Sequence, residues 1–349
     1  MSQAPVILPG SPLTGASAAA DMNAAWAAMI SKFSGSSSPT LGPGASGALV
    51  EGQDWLNTST AGTISAPHDP YQWNGTIWVP KATKTKLTAD TTYFFNSSLG
   101  NDANSGLSSG AGAFQTFGVV NALVNSIDTN GHNLILSLAA GTWSNFSLTV
   151  PVIGGGTVIL DGGSAATTTL TTTSAAAAVA CYTTGGGALD QSAFAIKNMT
   201  LTATGGGDCL DISCGNAAIA GTVTFGAVSG GGGHIRVDGN QSRLFCQSNY
   251  NITGGAAWHL ASVGLGLVDY NNGGITVTLT GTMTFTTAFA FATIMSCIVS
   301  LVTWTGGTIT ATRFVVNDNS VIYTNGAGAT YFPGNVNGTA PGANGGQYV

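Results

Sequence analysis

Short phrases in which threonine alternates with an apolar residue, each ending at glycine, dominate residues 198–326. The glycines that end them are Gly205, Gly226, Gly254, Gly281, Gly306 and Gly326. Successive members of this series are 21, 28, 27, 25 and 20 residues apart, a loose period that is typical of one solenoid coil per phrase. Alternation with a period of two turns one face of a strand inward and the other toward solvent. The pattern predicts a mainly β protein built on a parallel β-helix shaft.

Composition supports a solenoid and limits the alternatives. The chain has 51 glycines in 349 residues without a Gly-X-Y period, which excludes collagen. Hydrophobic residues make up 44% of the chain and the net charge is −6, so disorder is not expected. Only 6% of residues are charged. Because such uncharged walls protect a monomer poorly against association, we expect part of the surface to be buried in a homotrimer.

The charge and the cysteines argue against several classes of partner. A pI near 4.8 and eight basic residues give no basic surface for a nucleic acid. The five cysteines are Cys181, Cys209, Cys214, Cys246 and Cys297. An odd number spread through β-rich phrases indicates buried free thiols made in a reducing compartment. Cys209 and Cys214 form the one close pair, which is too few ligands for zinc, so we predict no metal and no cofactor.

One long uncharged segment raises the question of a membrane span. Residues 283–304 contain no charged side chain and are long enough to cross a bilayer. Threonine alternates with Met283 and Phe285 there, which is typical of a strand, so no membrane insertion is predicted. The N-terminus has no basic residue before Lys32 and no apolar core of the signal-peptide type.

Residues 1–47 are predicted to be an N-terminal helix and linker. Met22, Trp26, Met29 and Phe33 form one apolar stripe on a helix over residues 17–33, which Gly35 ends. We expect this stripe to serve virion attachment or the trimer interface, and packing on the following module is an equally open alternative. A serine-, proline- and glycine-rich linker follows over residues 36–47.

Residues 48–90 are predicted to be a small β module. Its clearest element is a hairpin with Asn74-Gly75 as a two-residue type I′ turn. That register pairs Tyr71 with Trp78 and places Tyr71, Trp73 and Trp78 on one face. Three aligned aromatic rings could stack on sugars, although in so small a module they are better candidates for its core.

The shaft is predicted over residues 91–330, with a C-terminal tail at 331–349. Near its start an amphipathic helix, marked by Phe114, Phe117, Val120, Leu123 and Ile127, is expected to cover the open end of the first coil. Asp102 lies in a turn-rich loop beside two asparagines, but one carboxylate is too few for a calcium site.

Several stretches of the chain resemble a known group of proteins. The runs at 93–96, 100–107, 113–117 and 134–143 resemble the entry of pectate-lyase-like β-helices, which recurs in phage tail proteins. The runs at 249–259, 276–281, 331–340 and 345–348 resemble trimeric tail-fibre or tailspike proteins of tailed phages and prophages. These motifs are structural, and none is a catalytic signature.

The resemblance implies a right-handed β-helix in a homotrimer that attaches to the virion through its N-terminus. It further implies tail or baseplate proteins as partners, a host cell-surface glycan or receptor as the target, and a virion protein made in the host cytoplasm. A secreted adhesin is disfavoured because the chain begins without an export signal.

Tailspikes of this type often cleave polysaccharide, so the acidic residues of the shaft were candidates for catalysis. A glycosidase needs two carboxyl groups about 5–10 Å apart. Asp208 and Asp211 are close in sequence, and Asp211 and Asp238 would stack if they lie at the same position of adjacent coils. His234 would share a face with Asp238 if the residues between them alternate. A role for these aspartates as turn formers is the favoured alternative, so catalysis by Asp211, His234 and Asp238 is the weaker hypothesis.

Two functions therefore remain open for the shaft. In the first it is a non-enzymatic fibre that contacts the host surface through hydroxyl and amide groups and through exposed aromatic residues. Trp258, His259 and Trp304 are the candidates for that contact, with Trp143 as a further one, and all of them are equally suited to core packing. In the second it is a depolymerase, either a glycoside hydrolase or a polysaccharide lyase. The scarcity of Glu and Lys favours the first.

Overall fold

The computed structural model describes residues 84–182, 194–213, 215–239, 242–340 and 343–349, together with four short strands nearer the N-terminus. The predicted helix over residues 17–33, which contains Met22, Trp26, Met29 and Phe33, lies outside the described residues. Contacts divide the chain into one compact unit at Met1–Lys84 and another at Thr85–Val349.

In the first unit the structure describes one small sheet. Its strands are β1 (Ser34–Gly35), β2 (Asp54–Asn57), β3 (Pro70–Trp73) and β4 (Trp78–Pro80), in that order across the sheet. Strands β3 and β4 are antiparallel, as predicted, but Trp73 pairs with Trp78 and Tyr71 with Pro80. The predicted register, in which Tyr71 faces Trp78, is wrong by two residues. Four residues separate Trp73 from Trp78 in sequence, so the connection is longer than a two-residue turn, and loop length sets hairpin register.

The described part of the second unit is built almost entirely of short strands. In chain order these are β5 (Thr85–Lys86), β6 (Thr91–Phe95), β7 (Ile127–Asp128), β8 (Leu134–Leu138), β9 (Gly141–Ser144), β10 (Phe146–Leu148), β11 (Val158–Asp161), β12 (Thr168–Thr172), β13 (Val179–Tyr182), β14 (Phe194–Lys197), β15 (Met199–Ala203), β16 (Leu210–Ser213), β17 (Asn216–Ile219), β18 (Val223–Val228), β19 (Ile235–Asp238), β20 (Arg243–Cys246), β21 (Tyr250–Ile252), β22 (Ala256–Val263), β23 (Leu267–Tyr270), β24 (Thr276–Thr293), β25 (Cys297–Ser300), β26 (Thr303–Thr310), β27 (Phe314–Val316), β28 (Val321–Tyr323) and β29 (Gln347–Tyr348). The helix α1 spans Val120–Asn125, and single 3₁₀ turns lie at Gly110–Gly112, Phe117–Val119 and Ala343–Gly345.

These strands stack into a parallel β-solenoid of about seven turns. Each coil contributes strands to three faces. Sheet 1 consists of β6, β8, β11, β14, β17, β20, β23, β25, β28 and β29. Sheet 2 consists of β9, β12, β15, β18, β21, the first half of β24, and β26. Sheet 3 consists of β10, β13, β16, β19, β22, the second half of β24, and β27. The long strand β24 passes from sheet 2 into sheet 3, and the parallel β-helix predicted from the sequence is confirmed.

The alternation of threonine and apolar residues determines which side chains enter the core. In β12 and β15 the buried residues alternate with partly exposed ones. The inward position of sheet 2 forms a continuous column from coil to coil, occupied by Trp143, Leu170, Leu201, Phe225, Ile252 and Leu279. All six side chains are buried, so the column forms one wall of a continuous core.

The glycine-ended phrases lie on two different faces. The first five correspond to β15, β18, β21, β24 and β26, which are successive neighbours in sheet 2. The sixth, Val321–Tyr323, forms β28 and pairs with β25 in sheet 1. Its interval of 20 residues is therefore less than a full coil, and the prediction of one coil per phrase is wrong for this phrase.

Glycine is required at some corners for steric or conformational reasons. A Cβ atom at Gly254 would lie 2.2 Å from the backbone nitrogen of Ala227 in the preceding coil. Gly281 adopts a φ of +92°, which residues with a Cβ rarely occupy. Gly226, in contrast, lies within β18 and does not form a corner.

Helix α1 covers the N-terminal end of the core, as predicted, although it is shorter than expected. Thr116 begins the 3₁₀ turn by accepting a hydrogen bond from Gly118 N, and α1 follows directly. The ring of Phe117 lies 5.1 Å from Trp143 and 5.2 Å from Phe146, between ring centroids. Phe117 therefore packs against the inward residues of the first coil and closes it.

Residues at the C-terminus pack on the last coil. Phe332 is fully buried, and Tyr348 stacks on Phe314 with ring centroids 3.9 Å apart. Strand β29 adds to β28 and so extends sheet 1. The core is thus covered by aromatic side chains at this end as well.

Two further predictions concern the middle of the chain. Residues 283–304 form strands and the two corners between them, and among the residues that the structure describes no helix is long and apolar enough to span a membrane. Cys209 and Cys246 are buried free thiols, as predicted, Cys181 is buried, and Cys297 is free and half-buried. Cys214 lies outside the described residues. Burial raises the pKa of the Cys246 thiol to about 12, so this thiol stays protonated.

Candidate functional site

Ionisable side chains gather on sheet 3, where β13, β16 and β19 lie side by side. Asp211 on β16 is the direct neighbour of Arg236 on β19, and Ser213 is the neighbour of Asp238. Tyr182 on β13 is the neighbour of Ser213 on the other side. The predicted stacking of Asp211 on Asp238 is therefore wrong by two residues, because the register places Arg236 beside Asp211.

Asp211 is held by hydroxyl groups from two strands. The Tyr182 hydroxyl donates to Asp211 Oδ2 and the Ser213 hydroxyl donates to Asp211 Oδ1, both at 2.9 Å. Asp211 is 7% exposed, so the two donors replace water around its carboxylate. Burial raises the pKa of Tyr182, and the charge of Asp211 adds to that effect.

Asp208 lies in the turn before β16 and is held differently. Its Oδ1 atom accepts a hydrogen bond of 2.6 Å from Gly233 N on the next coil. Burial raises the pKa of Asp208 to about 6, with a further contribution from the negative charge of Asp211. The Gly233 amide and the positive charge of Arg236 oppose that rise. Asp208 therefore exchanges its proton close to neutral pH, whereas ordinary aspartates do so near pH 4.

Arg236 supplies the positive charge of the cluster. Its guanidinium forms an ion pair with Asp238 within the same strand, where both side chains are partly exposed. The same guanidinium attracts the charges of Asp211 and Asp208. We call the five residues Tyr182, Asp208, Asp211, Arg236 and Asp238 the acidic cluster. A carboxyl group that titrates near pH 6 beside a carboxylate that two hydroxyl groups stabilise is a suitable pair for proton transfer.

His234 does not belong to the acidic cluster. It precedes β19, and both it and the next residue, Ile235, are fully buried, so the predicted alternation toward Asp238 is wrong. His234 Nδ1 lies 3.0 Å from His259 Nδ1, and His234 Nε2 lies 2.9 Å from the Gly226 carbonyl oxygen. Burial lowers the pKa of His234 to about 3, so it is neutral at physiological pH.

The residues proposed for host-surface contact are mostly internal. His259 is fully buried, so it cannot contact a host surface. Trp143 is also buried, and Trp304 packs against the core. Trp258 is partly exposed and stacks on Phe291, with ring centroids 6.4 Å apart. Of the three candidates Trp258, His259 and Trp304, both tryptophans keep some exposure.

Trp304 also lines a cavity of about 290 Å³ near the C-terminal end. Arg313 lies at this cavity, but its Nη1 atom donates to the carbonyl oxygens of Thr330 and Phe332, and its Nε atom donates to Asn337 Oδ1. The hydrogen bonds of the Arg313 guanidinium thus connect the C-terminal residues to the last coil.

Within the described residues no group of three His, Cys, Asp or Glu side chains is arranged to hold a metal ion. Asp102 accepts hydrogen bonds from Gln115 N and Thr116 N, each at 2.8 Å.

The sequence did not predict the hydrogen bond from Tyr182 to Asp211 or the raised pKa of Asp208. The hydroxyl of Tyr182 reaches Asp211 from a strand 29 residues earlier, and the amide that binds Asp208 is 25 residues later. These intervals are each about one coil, so a coil-by-coil alignment would have been the signal for both contacts.

The chain matches no protein-family model, no curated protein and no solved structure. The fold by itself defines the class: a mainly β protein with a parallel β-solenoid.

Proposed function

We propose that this chain is a structural subunit of a bacteriophage or prophage tail fibre or tailspike. In this proposal three copies form a trimeric shaft, the N-terminal residues attach it to tail or baseplate proteins, and the β-solenoid contacts a glycan or other receptor on the host cell surface. The proposed location is the tail of the virion.

The observation that supports this proposal best is the in-register stacking of seven coils. Strands repeat about 4.8 Å apart along such a stack, and each coil is hydrogen-bonded to the next along three faces. A solenoid of this kind is stiff and extends in one direction. In the coils that the structure describes, the outward position of sheet 2 carries no charged residue, which suits burial between subunits or contact with a neutral ligand.

Electron microscopy with antibody labels tests the proposed location. Antibodies against the full chain, bound to phage particles from a culture that produces it, should label the tail. If the antibodies do not label intact particles although the chain is abundant in the cell lysate, the proposal is contradicted. Particles that lack the chain serve as the control.

A depolymerase is the second candidate, and the acidic cluster is the specific observation in its favour. Asp208, whose pKa is about 6, would donate a proton to a leaving group, and Asp211 would act as the base or nucleophile. Release of reducing ends from host polysaccharide by the unchanged chain, lost in Asp208→Asn and kept in Asp269→Asn, would favour this function. Asp269 is the control because it is an aspartate on another face, where it pairs with Arg243 away from the acidic cluster.

A further inference from the structure

A groove crosses the outer surface of sheet 2 on the second to fifth coils. It has a volume of about 570 Å³, which is within the range of ligand sites. The turn after β11 forms one wall, and the floor consists of residues on β15, β18 and β21 together with Thr222. The residues that line it are Gly163, Ser164, Ala165, Ala166, Asn198, Thr200, Thr222, Thr224 and Asn251.

The floor repeats one outward position from coil to coil. Thr200, Thr224 and Asn251 are direct neighbours in the strand register. Their side chains therefore succeed one another about 4.8 Å apart, along the axis of the solenoid. A ligand that matches this floor has polar groups at a similar repeat, as a linear polymer does.

Some of the polar groups that line the groove form hydrogen bonds within the protein, and others do not. The Thr200 hydroxyl donates to the Ala165 carbonyl oxygen at 2.7 Å, and the Asn198 amide donates to Asp161 at 3.0 Å. In the part of the chain that the structure describes, the side chains of Thr222, Thr224 and Asn251 have no hydrogen-bond partner. Two hydroxyls and one amide thus remain to donate and accept hydrogen bonds.

None of the described residues that line the groove has a charged side chain. A sulfated, phosphorylated or uronic-acid polymer would lose water from its charges here without gaining a counter-charge, which is unfavourable. A neutral polymer rich in hydroxyl groups loses less hydration free energy when it moves from water into the groove, and the groove offers it both hydrogen-bond donors and acceptors.

We propose that this groove binds a neutral polysaccharide, with the sugar chain lying along the axis of the solenoid over Thr200, Thr224 and Asn251. This inference rests on the proposed function, because it gives the chemical class and the place of the host-surface ligand. It places recognition on sheet 2, away from the acidic cluster on sheet 3.

Affinity electrophoresis of the full chain tests the groove. The gels contain dextran, mannan or galactan as neutral polymers, and alginate or hyaluronan as acidic ones. We expect at least one neutral polymer to retard the chain and the acidic ones to leave its mobility unchanged. The double variant Thr224→Val with Asn251→Val should weaken that retardation by about tenfold in dissociation constant, because it removes two hydrogen-bonding groups.

Thr278→Val is the matched control, since Thr278 occupies the same outward position one coil beyond Asn251, outside the groove. Equal thermal unfolding temperatures of the unchanged chain, the double variant and Thr278→Val would show that folding is intact. Thr224→Lys places a long side chain in the groove and should abolish binding. Retardation by a neutral polymer that both groove variants retain would overturn the groove assignment and leave the proposed function standing. Retardation by acidic polymers alone, or by none, would overturn the neutral-polysaccharide inference, while antibody labelling of tails tests the proposed function separately. A change of molar mass in the groove variants would instead assign this surface to contact between copies of the chain, and would also overturn the inference.

Discussion

His234 Nδ1 and His259 Nδ1 lie 3.0 Å apart in the fully buried core, and their surroundings determine which nitrogen carries each proton. The Gly226 carbonyl only accepts, so His234 Nε2 donates to it and His234 Nδ1 is left as an acceptor. His259 Nδ1 then donates to His234, and His259 Nε2 accepts from the Tyr250 hydroxyl at 2.7 Å. Both imidazoles are neutral in this arrangement.

The histidine pair predicts that the protein loses stability in mild acid. Burial lowers the pKa of both His234 and His259, so between about pH 6 and pH 4 the unfolded chain binds two protons that the folded chain does not. Asp208 has the opposite effect, because its raised pKa lets the folded chain hold a proton that the unfolded chain has released. Each group changes the free energy of unfolding by about 1.4 kcal/mol per pH unit. The net expectation is a loss of about 1.4 kcal/mol for each unit that the pH falls in this window.

Denaturant unfolding followed by tryptophan fluorescence at several pH values measures that slope. His132→Gln is the control, because it removes a histidine from a partly exposed turn and leaves the buried pair in place, so the loss of stability in acid should persist. Replacing His234 and His259 together with phenylalanine should remove the loss of stability, whatever the absolute stability of that variant. A wild-type slope of zero between pH 6 and pH 4 would show that the pair is not kept neutral by the fold.

A methyl group at Gly254 is expected to disturb the stacking of coils. The added Cβ would lie 2.2 Å from the backbone nitrogen of Ala227, which cannot move without shifting its own strand. Gly254→Ala should lower the free energy of unfolding by about 1–3 kcal/mol or more. At Gly273 the nearest atom to an added Cβ is 3.7 Å away, so Gly273→Ala should change stability by no more than about 0.5 kcal/mol. Equal losses in the two variants would argue against this coil spacing.

Removing the ring of Phe117 should open the N-terminal end of the core. Phe117→Ala deletes contacts to Phe95, Trp143 and Phe146, and truncations of this kind cost about 3–5 kcal/mol when the ring is buried. Because Phe117 is only partly buried, the lower end of that range is expected. Increased binding of a hydrophobic dye would report the exposed core. Leu99→Ala, at a side chain that is 63% exposed, should leave dye binding unchanged.

Asp102 is expected to stabilise the loop that precedes helix α1. Its carboxylate accepts hydrogen bonds from Gln115 N and Thr116 N and from the Thr116 hydroxyl. Asp102→Ala leaves these donors to water and should lower the unfolding free energy by about 1–3 kcal/mol. Ser109→Ala is the control, since the Ser109 side chain makes no capping hydrogen bond. If the two substitutions have the same effect in thermal unfolding, the loop does not depend on Asp102.

The sequence is sufficient to predict which residues of a strand are buried and which face solvent. It does not predict which residue of one coil lies beside which residue of the next. Alternating Thr200 and Leu201 correctly indicates which side chain is buried, because this depends on neighbours in sequence. The pairing of Asp211 with Arg236 depends on the combined length of the corners between the two strands, and no local pattern encodes that length. The same reason explains why the loose period of the phrases does not reveal that Val321–Tyr323 lies on sheet 1.

The candidate site was harder to predict than the fold for a related reason. His234 follows four glycines, and the strand begins only at Ile235, so the alternation that would place His234 on the same face as Asp238 does not extend to it. The raised pKa of Asp208 comes from burial, which depends on the coils above and below. Composition alone correctly indicated that charges are rare on the shaft.

In the proposed trimer three copies of the solenoid form one shaft, and light scattering of the full chain after size-exclusion chromatography tests this arrangement most directly. The chain mass is 34.7 kDa. We predict a molar mass of about three times that value, constant across the peak and after tenfold dilution. A constant mass near that of a single chain would contradict the account.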